Sequence, residues 1–213
     1  MVKMGFGLAA CAMLAACGGG GGGGGGDRPA TAVAAAPLDW RRVATEADRT
    51  RLRNWRVAWI EAMTKARAAG NGKAIDAQGP LFDPDHALDG AMPPPGDYRC
   101  RIFKLGARGT GAKDFTSYPF FGCRVEAEGD VSSFYKTEGS QRPVGLAFPD
   151  GQRAIFLGTM MLGDERNALE YGRDANRDMA GIVQRVGARR WRVALPYPRF
   201  ESTLDVIEML PAG

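Results

Sequence analysis

Six charged residues, Arg142, Arg173, Asp174, Arg177, Asp178 and Glu201, fall at strand ends or in one long connection of the sequence, with Tyr171 and Tyr197 beside them. Arginine offers a rigid fork of donors that meets a carboxylate or phosphate through two bonds at once, and tyrosine adds a flat apolar face with a hydroxyl. Gathered at one mouth of a barrel, such residues would recognise an anionic or sugar-like ligand. The ligand-binding candidates are therefore Arg142, Tyr171, Arg173, Arg177, Asp178 and Tyr197. The competing reading of the same residues is a lattice of surface ion pairs. As glycosidase-type acids, Asp174 and Asp178 carry less weight, because no separation between carboxylates can be read from sequence.

Other chemistry-bearing motifs point away from catalysis. The single histidine, His86, sits with Asp83, Asp85 and Asp89 in DPDHALDG, a set that lacks the alternating acids and distal Glu of a calcium loop and reads as turn-forming. The glycines of Gly106–Lys113 resemble a phosphate loop, but Lys113 does not directly follow a glycine and a strand comes next. Ser140 lacks the second glycine of a nucleophile elbow, and no other histidine exists to serve it. No catalytic residue, metal site or cofactor is expected. An enzyme built on the acidic and arginine residues of 164–178 remains the remoter alternative.

Lys and Arg number 28 against 24 Asp and Glu, giving +4 over 213 residues, too mild an excess for a dedicated nucleic-acid binder. At 45% apolar and 24% charged, the composition is that of a globular domain.

The first residues are an address. Lys3 precedes an apolar run from Met4 to Ala16 that is too short to cross a bilayer as a helix, and Leu14-Ala15-Ala16-Cys17 resembles the bacterial lipobox. That resemblance implies cleavage after residue 16 and lipid attachment at Cys17, with Cys11 a weaker rival. Gly18, in place of Asp after the lipidated cysteine, implies transport to the periplasmic face of the outer membrane. Nine glycines, Gly18–Gly26, and an Ala-rich stretch then make 17–38 a flexible tether.

Residues 39–72 read as a basic amphipathic helix, with limits near 45 and 69. Leu52, Trp55, Trp59, Met63 and Ala66 recur at helical spacing, Thr45 with Asp48 supplies an N-cap, and Gly70-Asn71-Gly72 the stop. Eight cations against four anions in 39–67 offer contact with anionic headgroups, while the tryptophan stripe offers packing on the following domain. A Pro-rich loop, 73–96, separates this helix from eight strand candidates at about 98–105, 118–128, 131–137, 142–148, 153–162, 178–186, 190–195 and 203–210. Short turns between them dictate antiparallel pairing, and the simplest arrangement over 97–213 is an eight-stranded up-and-down barrel or strongly curled sheet. A short helix is predicted around Asp164–Tyr171, where the long connection could close one mouth. Cys100 and Cys123, in adjacent strands of an exported chain, are expected to form a structural disulfide.

The segments WRRVATEADRxRLRNWR (Trp40–Arg56), GDYRCR (Gly96–Arg101), GSQRPVG (Gly139–Gly145), RDMAG (Arg177–Gly181) and RRWRVxLPYP (Arg189–Pro198) resemble an uncharacterised domain-of-unknown-function family of bacterial envelope proteins. That family implies no activity. The Gly96-Asp97-Tyr98 entry to the first strand resembles the opening of lipocalin-like barrels, and the stapled barrel resembles small periplasmic protease inhibitors, which use a free N-terminal segment that is lipidated here. The expectation is thus a non-catalytic envelope lipoprotein anchored in the membrane through Cys17 and binding a small ligand or an envelope protein, with protease inhibition or a protective role as the alternative.

Overall fold

The computed structural model describes residues 38–213. The signal segment, Cys17 and nearly all of the tether lie outside the described residues.

Nine strands form one antiparallel sheet: β1 (Gly96–Ala107), β2 (Phe115–Ser117), β3 (Phe121–Glu128), β4 (Val131–Lys136), β5 (Gln141–Asp150), β6 (Arg153–Leu162), β7 (Asp178–Gly187), β8 (Arg190–Pro196) and β9 (Ser202–Pro211). Each strand from β3 onward pairs with the next, and β9 returns to pair with β1 from Tyr98↔Pro211 to Ala107↔Ser202. This last pairing closes an eight-stranded barrel of β1 and β3–β9, so closure leaves no long edge unpaired. The eight predicted strands are all present. The short β2 is an addition: β1 leaves β3 after Cys100↔Phe121, and β2 takes up its free edge from Phe103↔Ser117 onward. The strand expected over 118–128 accordingly begins at Phe121.

The barrel interior is packed with side chains, among them Tyr98, Cys100, Cys123, Phe134, Phe156, Trp191, Ile207 and Met209. Phe134 and Phe156 meet edge to face at 5.7 Å. Room for them comes from Gly145 and Gly158, direct cross-strand partners; a Cβ on Gly145 would stand 2.3 Å from the Leu157 carbonyl oxygen and 2.8 Å from the Phe156 ring. Cys100 and Cys123 form the expected disulfide between β1 and β3, with both residues buried.

The helical region wraps the outside of the barrel. The single helix predicted over 45–69 is instead α1 (Trp40–Val43), α2 (Glu46–Arg53) and α3 (Trp55–Ala66), followed by a wide turn with Gly70 at φ 84° and by α4 (Gly72–Asp76). The break comes at Asn54, whose ψ of 12° ends α2 and re-aims the chain to follow the curved wall. Thr45 caps α2 as expected, accepting from the Asp48 N–H. Trp59, Ala62 and Ala66 face the barrel with Phe103, Leu105, Leu204 and Val206, while Trp40 and Leu52 cover Phe148, Ile155 and Ile182. Small residues on α3 let it approach closely: a Cβ on Gly106 would lie 2.9 Å from the Ala62 Cα. The tryptophan stripe is therefore spent on the barrel, and β6–β9 are buried on both faces along most of their length.

Two polar clamps hold this outer layer. Arg192 is fully buried beneath Trp59 and the segment after α4; its guanidinium donates to the carbonyls of Pro80, Leu81, Asp83 and His86 and to the Gln184 side chain. Burial pushes its pKa down to about 10. Glu208 is gripped by Arg101 and Arg190, both of which also bond Gln78. Buried charge is tolerated here because each group has several hydrogen-bond partners.

Candidate functional site

The two ends of the barrel differ. At one end the strands join through the two-residue turns 129–130, 151–152 and 188–189, and the Pro-rich segment before β1 places Met92 against the interior. At the other end lie 108–120, which contains β2, together with 137–140, 163–177 and 197–201. Long connections on a rigid barrel are where binding residues collect.

This long-loop mouth opens into a cup of about 450 Å³. Its walls include Ile102, Phe121, Met160, Met179, Leu195 and Ile207, all from inward-facing strand positions. Tyr118 and Phe120 stand partly exposed at its rim. A smaller cavity beside it shares Lys104, Gln141, Met160, Met179, Leu195 and Asp205, and is bordered further by Arg51, Arg177, Asp178 and Phe200.

Charge enters the cup at Lys104 and Asp205, paired in register across β1 and β9. The Lys104 ammonium lies 3.4 Å from the Asp205 carboxylate and 3.3 Å from that of Glu201. Asp205 is buried and also accepts from the Ser202 hydroxyl. Burial raises the Asp205 carboxyl above its ordinary value, with Lys104 opposing. Burial acts against the Lys104 ammonium, but Asp205 and Glu201 outweigh it and its pKa is raised. Lys136, on the β4 side, stacks its ammonium 4.3 Å from the Phe121 ring, and burial lowers its pKa.

The turn carrying Glu201 is conformationally unusual. Tyr197 (φ 48°) and Glu201 (φ 68°) are the non-glycine residues with positive φ among those described, a conformation costing on the order of 1–3 kcal/mol at each position. Hydrogen bonds hold them there: Tyr197 N–H donates to the Thr203 carbonyl, and the Glu201 carbonyl accepts from Arg108 N–H. Strain of this kind collects at ligand clamps.

The sequence candidates separate. Arg177 and Asp178 border the mouth: Arg177 pairs with Glu165, and Asp178 accepts from Gly172 N–H while its carbonyl is held by Arg51. Burial raises the Asp178 carboxyl. Tyr197 is in the strained turn. Arg142 spends its donors on the carbonyls of Gly139, Gly163 and Glu165, tying two connections together. Tyr171 donates to Asp48 and accepts from Thr45 N–H, fastening α2; burial and Asp48 push its hydroxyl pKa well up. Arg173 is exposed and, among the described residues, pairs with Glu170 alone. The helix predicted at Asp164–Tyr171 is absent, since Arg142 and the Leu162 N–H fix this stretch as turns through Glu165. Those bonds and Arg177 also hold the Glu165 carboxyl below its ordinary value, the opposite of what a general acid needs.

Near His86, Asp85 pairs with Arg56, and among the described residues no group of three or more His, Cys, Asp or Glu is placed to hold a metal ion. Lys104 and Asp205 escaped the sequence reading. Their signal was a charge on the inward register of an otherwise apolar strand: Tyr98, Cys100 and Ile102 lead to Lys104, and Asp205 leads to Ile207 and Met209.

The described residues thus form a packed antiparallel barrel with a helical jacket, an apolar, charge-floored cup at the long-loop end and a second cavity beside Met92, Tyr98 and Trp191 at the other. The chain belongs to the family of the domain of unknown function DUF4893, whose family model matches residues 40–209. Neither curated proteins nor solved structures yield a match.

Proposed function

We propose that this chain is a non-catalytic, lipid-anchored protein of the bacterial cell envelope, held at the periplasmic face of the outer membrane through Cys17, whose barrel binds a small ligand at the long-loop mouth. The observation that carries the binding half is the cup itself: apolar walls around the Lys104–Asp205 pair, bordered by a turn with two strained residues. Pockets that bind small molecules combine apolar lining with a few convergent polar groups in this way. The anchor half rests on the residues from Lys3 to Cys17 and the glycine tract. Among the described residues no helix is long and apolar enough to cross a membrane.

Two experiments test the two halves. Cys17→Ser is expected to move the exported chain from the membrane fraction to the soluble one, and sedimentation with membranes would overturn the anchor. Native mass spectrometry of that released chain is expected to show added mass that disappears on denaturation; a bare polypeptide mass from every growth condition would overturn the binding reading.

A further inference from the structure

We propose that the cup takes a carboxylate-bearing amphiphile, whose carboxylate replaces that of Glu201 on Lys104 while its apolar chain lies along Met160, Met179 and Ile207. The proposal rests on the reading that the long-loop mouth is a binding site.

The two anions beside Lys104 are not equivalent. Asp205 is fixed by strand register, buried, and bonded by Ser202. Glu201 reaches the same ammonium from the turn with its side chain 53% exposed. Its backbone is locked by the bond from Arg108, so rotation of the side chain alone uncovers Lys104. An incoming carboxylate then restores the charge and hydrogen bonding that Glu201 had supplied, and the Glu201 carboxylate returns to water. The exchange is neutral in charge, which removes the main cost of placing an anion in a half-buried site.

Charge and shape select among ligands. A cationic amphiphile would stand between Lys104 and Lys136, both of which line the cup. A neutral chain would gain the apolar walls without displacing Glu201. A polyanion would bring surplus negative charge beside Asp205. A single carboxylate on an apolar chain suits the cationic lining and the apolar walls, and Glu201 already seats a carboxylate on Lys104.

The test is calorimetric titration of the exported Cys17→Ser chain with decanoate and decyltrimethylammonium, each below its micelle concentration, and with decan-1-ol below its solubility limit. Decanoate is expected to bind one to one and roughly tenfold more tightly than decan-1-ol, the contribution of one charge-assisted contact, with the cation weakest. Glu201→Gln, an exposed and structurally mild change, is expected to tighten decanoate several-fold and leave decan-1-ol unchanged. The Lys104→Gln, Asp205→Asn double variant, which leaves no unpaired buried charge, is expected to bring decanoate down to the affinity of decan-1-ol. Equal wild-type affinities for decanoate and decan-1-ol would overturn the carboxylate assignment while leaving the cup as a binding site. Weaker decanoate binding by Glu201→Gln would overturn the exchange, and no binding of any of the three would overturn both the assignment and the site.

Discussion

Lys104 and Asp205 face each other directly across β1 and β9, the strand pair that closes the barrel, with ammonium and carboxylate 3.4 Å apart on the inner side. The closing seam and the charged floor of the cup are thus made by the same two residues. Removing Lys104 strands the Asp205 carboxylate in a low-dielectric place, whereas Lys104 without Asp205 still meets Glu201. Lys104→Met is expected to destabilise the fold by about 3–5 kcal/mol, and Lys104→Met with Asp205→Leu by much less. Urea unfolding of the two single variants and the double variant measures the coupling; additive losses would show that the pair is not energetically linked.

The same seam sets a pH dependence. The folded pKa of Asp205 is raised above its ordinary 3.8, so its contribution to stability is fully present below that value and is lost as pH rises through the folded pKa. Lys104, raised above 10.5, contributes stability present below that value and lost only at higher pH, so it does not vary across the acidic window. The stability of the wild type minus that of Asp205→Asn is therefore expected to fall as pH is raised from about 4 toward neutrality. Urea melts in a pH series read this directly, and a difference that grows with pH would reverse the assignment.

Arg192 tests the outer layer. Its guanidinium satisfies four backbone carbonyls between Pro80 and His86 and stacks 4.9 Å from Trp59, with no carboxylate among its hydrogen-bond partners in the described residues. Arg192→Met keeps much of the volume but leaves those acceptors unmet, and a loss of roughly 3 kcal/mol or more is expected. Early proteolysis within 79–90 should accompany it. Arg192→Lys is expected to recover only part, because an ammonium lacks the planar fork. Full stability in Arg192→Met would mean that the clamp is dispensable.

The close packing of Phe156 against the β5–β6 pair depends on two facing glycines. Gly145→Ala places a methyl 2.3 Å from a main-chain oxygen, and Gly158→Ala does the same against Val144. Each is expected to destabilise by about 1–3 kcal/mol or more, and thermal unfolding is the check. Tolerance of both substitutions would show that the strands can separate without cost.

The strand pattern was legible because turns such as Glu128-Gly129-Asp130 and Pro149-Asp150-Gly151 punctuate it and because β1 and β3 alternate clearly. The outer layer was less so. Arg192 and Glu208 look like solvent-facing residues in an alternating strand, yet both lie beneath the helical jacket and its following segment, a tertiary circumstance that no local period records. The break at Asn54 was hidden for a related reason, since α2 and α3 keep nearly one apolar stripe across it. Arg177 and Asp178 border the cavity beside the cup, and Tyr197 falls in the neighbouring turn, because all three stand at strand ends of the long-loop side. Arg142 and Tyr171 share that position but are consumed by backbone carbonyls and a helix cap. Lys104 and Asp205 are hard to read from sequence because each is a single charge within a strand, and only the closing β1–β9 register turns both into the cup.

Entry of ligand at the long-loop mouth would be reported by the methionine methyl groups. Met160 and Met179 line the cup, Met92 lies at the opposite mouth, and Met209 sits in the packed interior. In a methyl NMR titration of the exported Cys17→Ser chain with decanoate, the Met160 and Met179 signals are expected to shift together and saturate, with Met92 and Met209 nearly still. Shifts centred on Met92, or no shift at any of the four, would contradict the account.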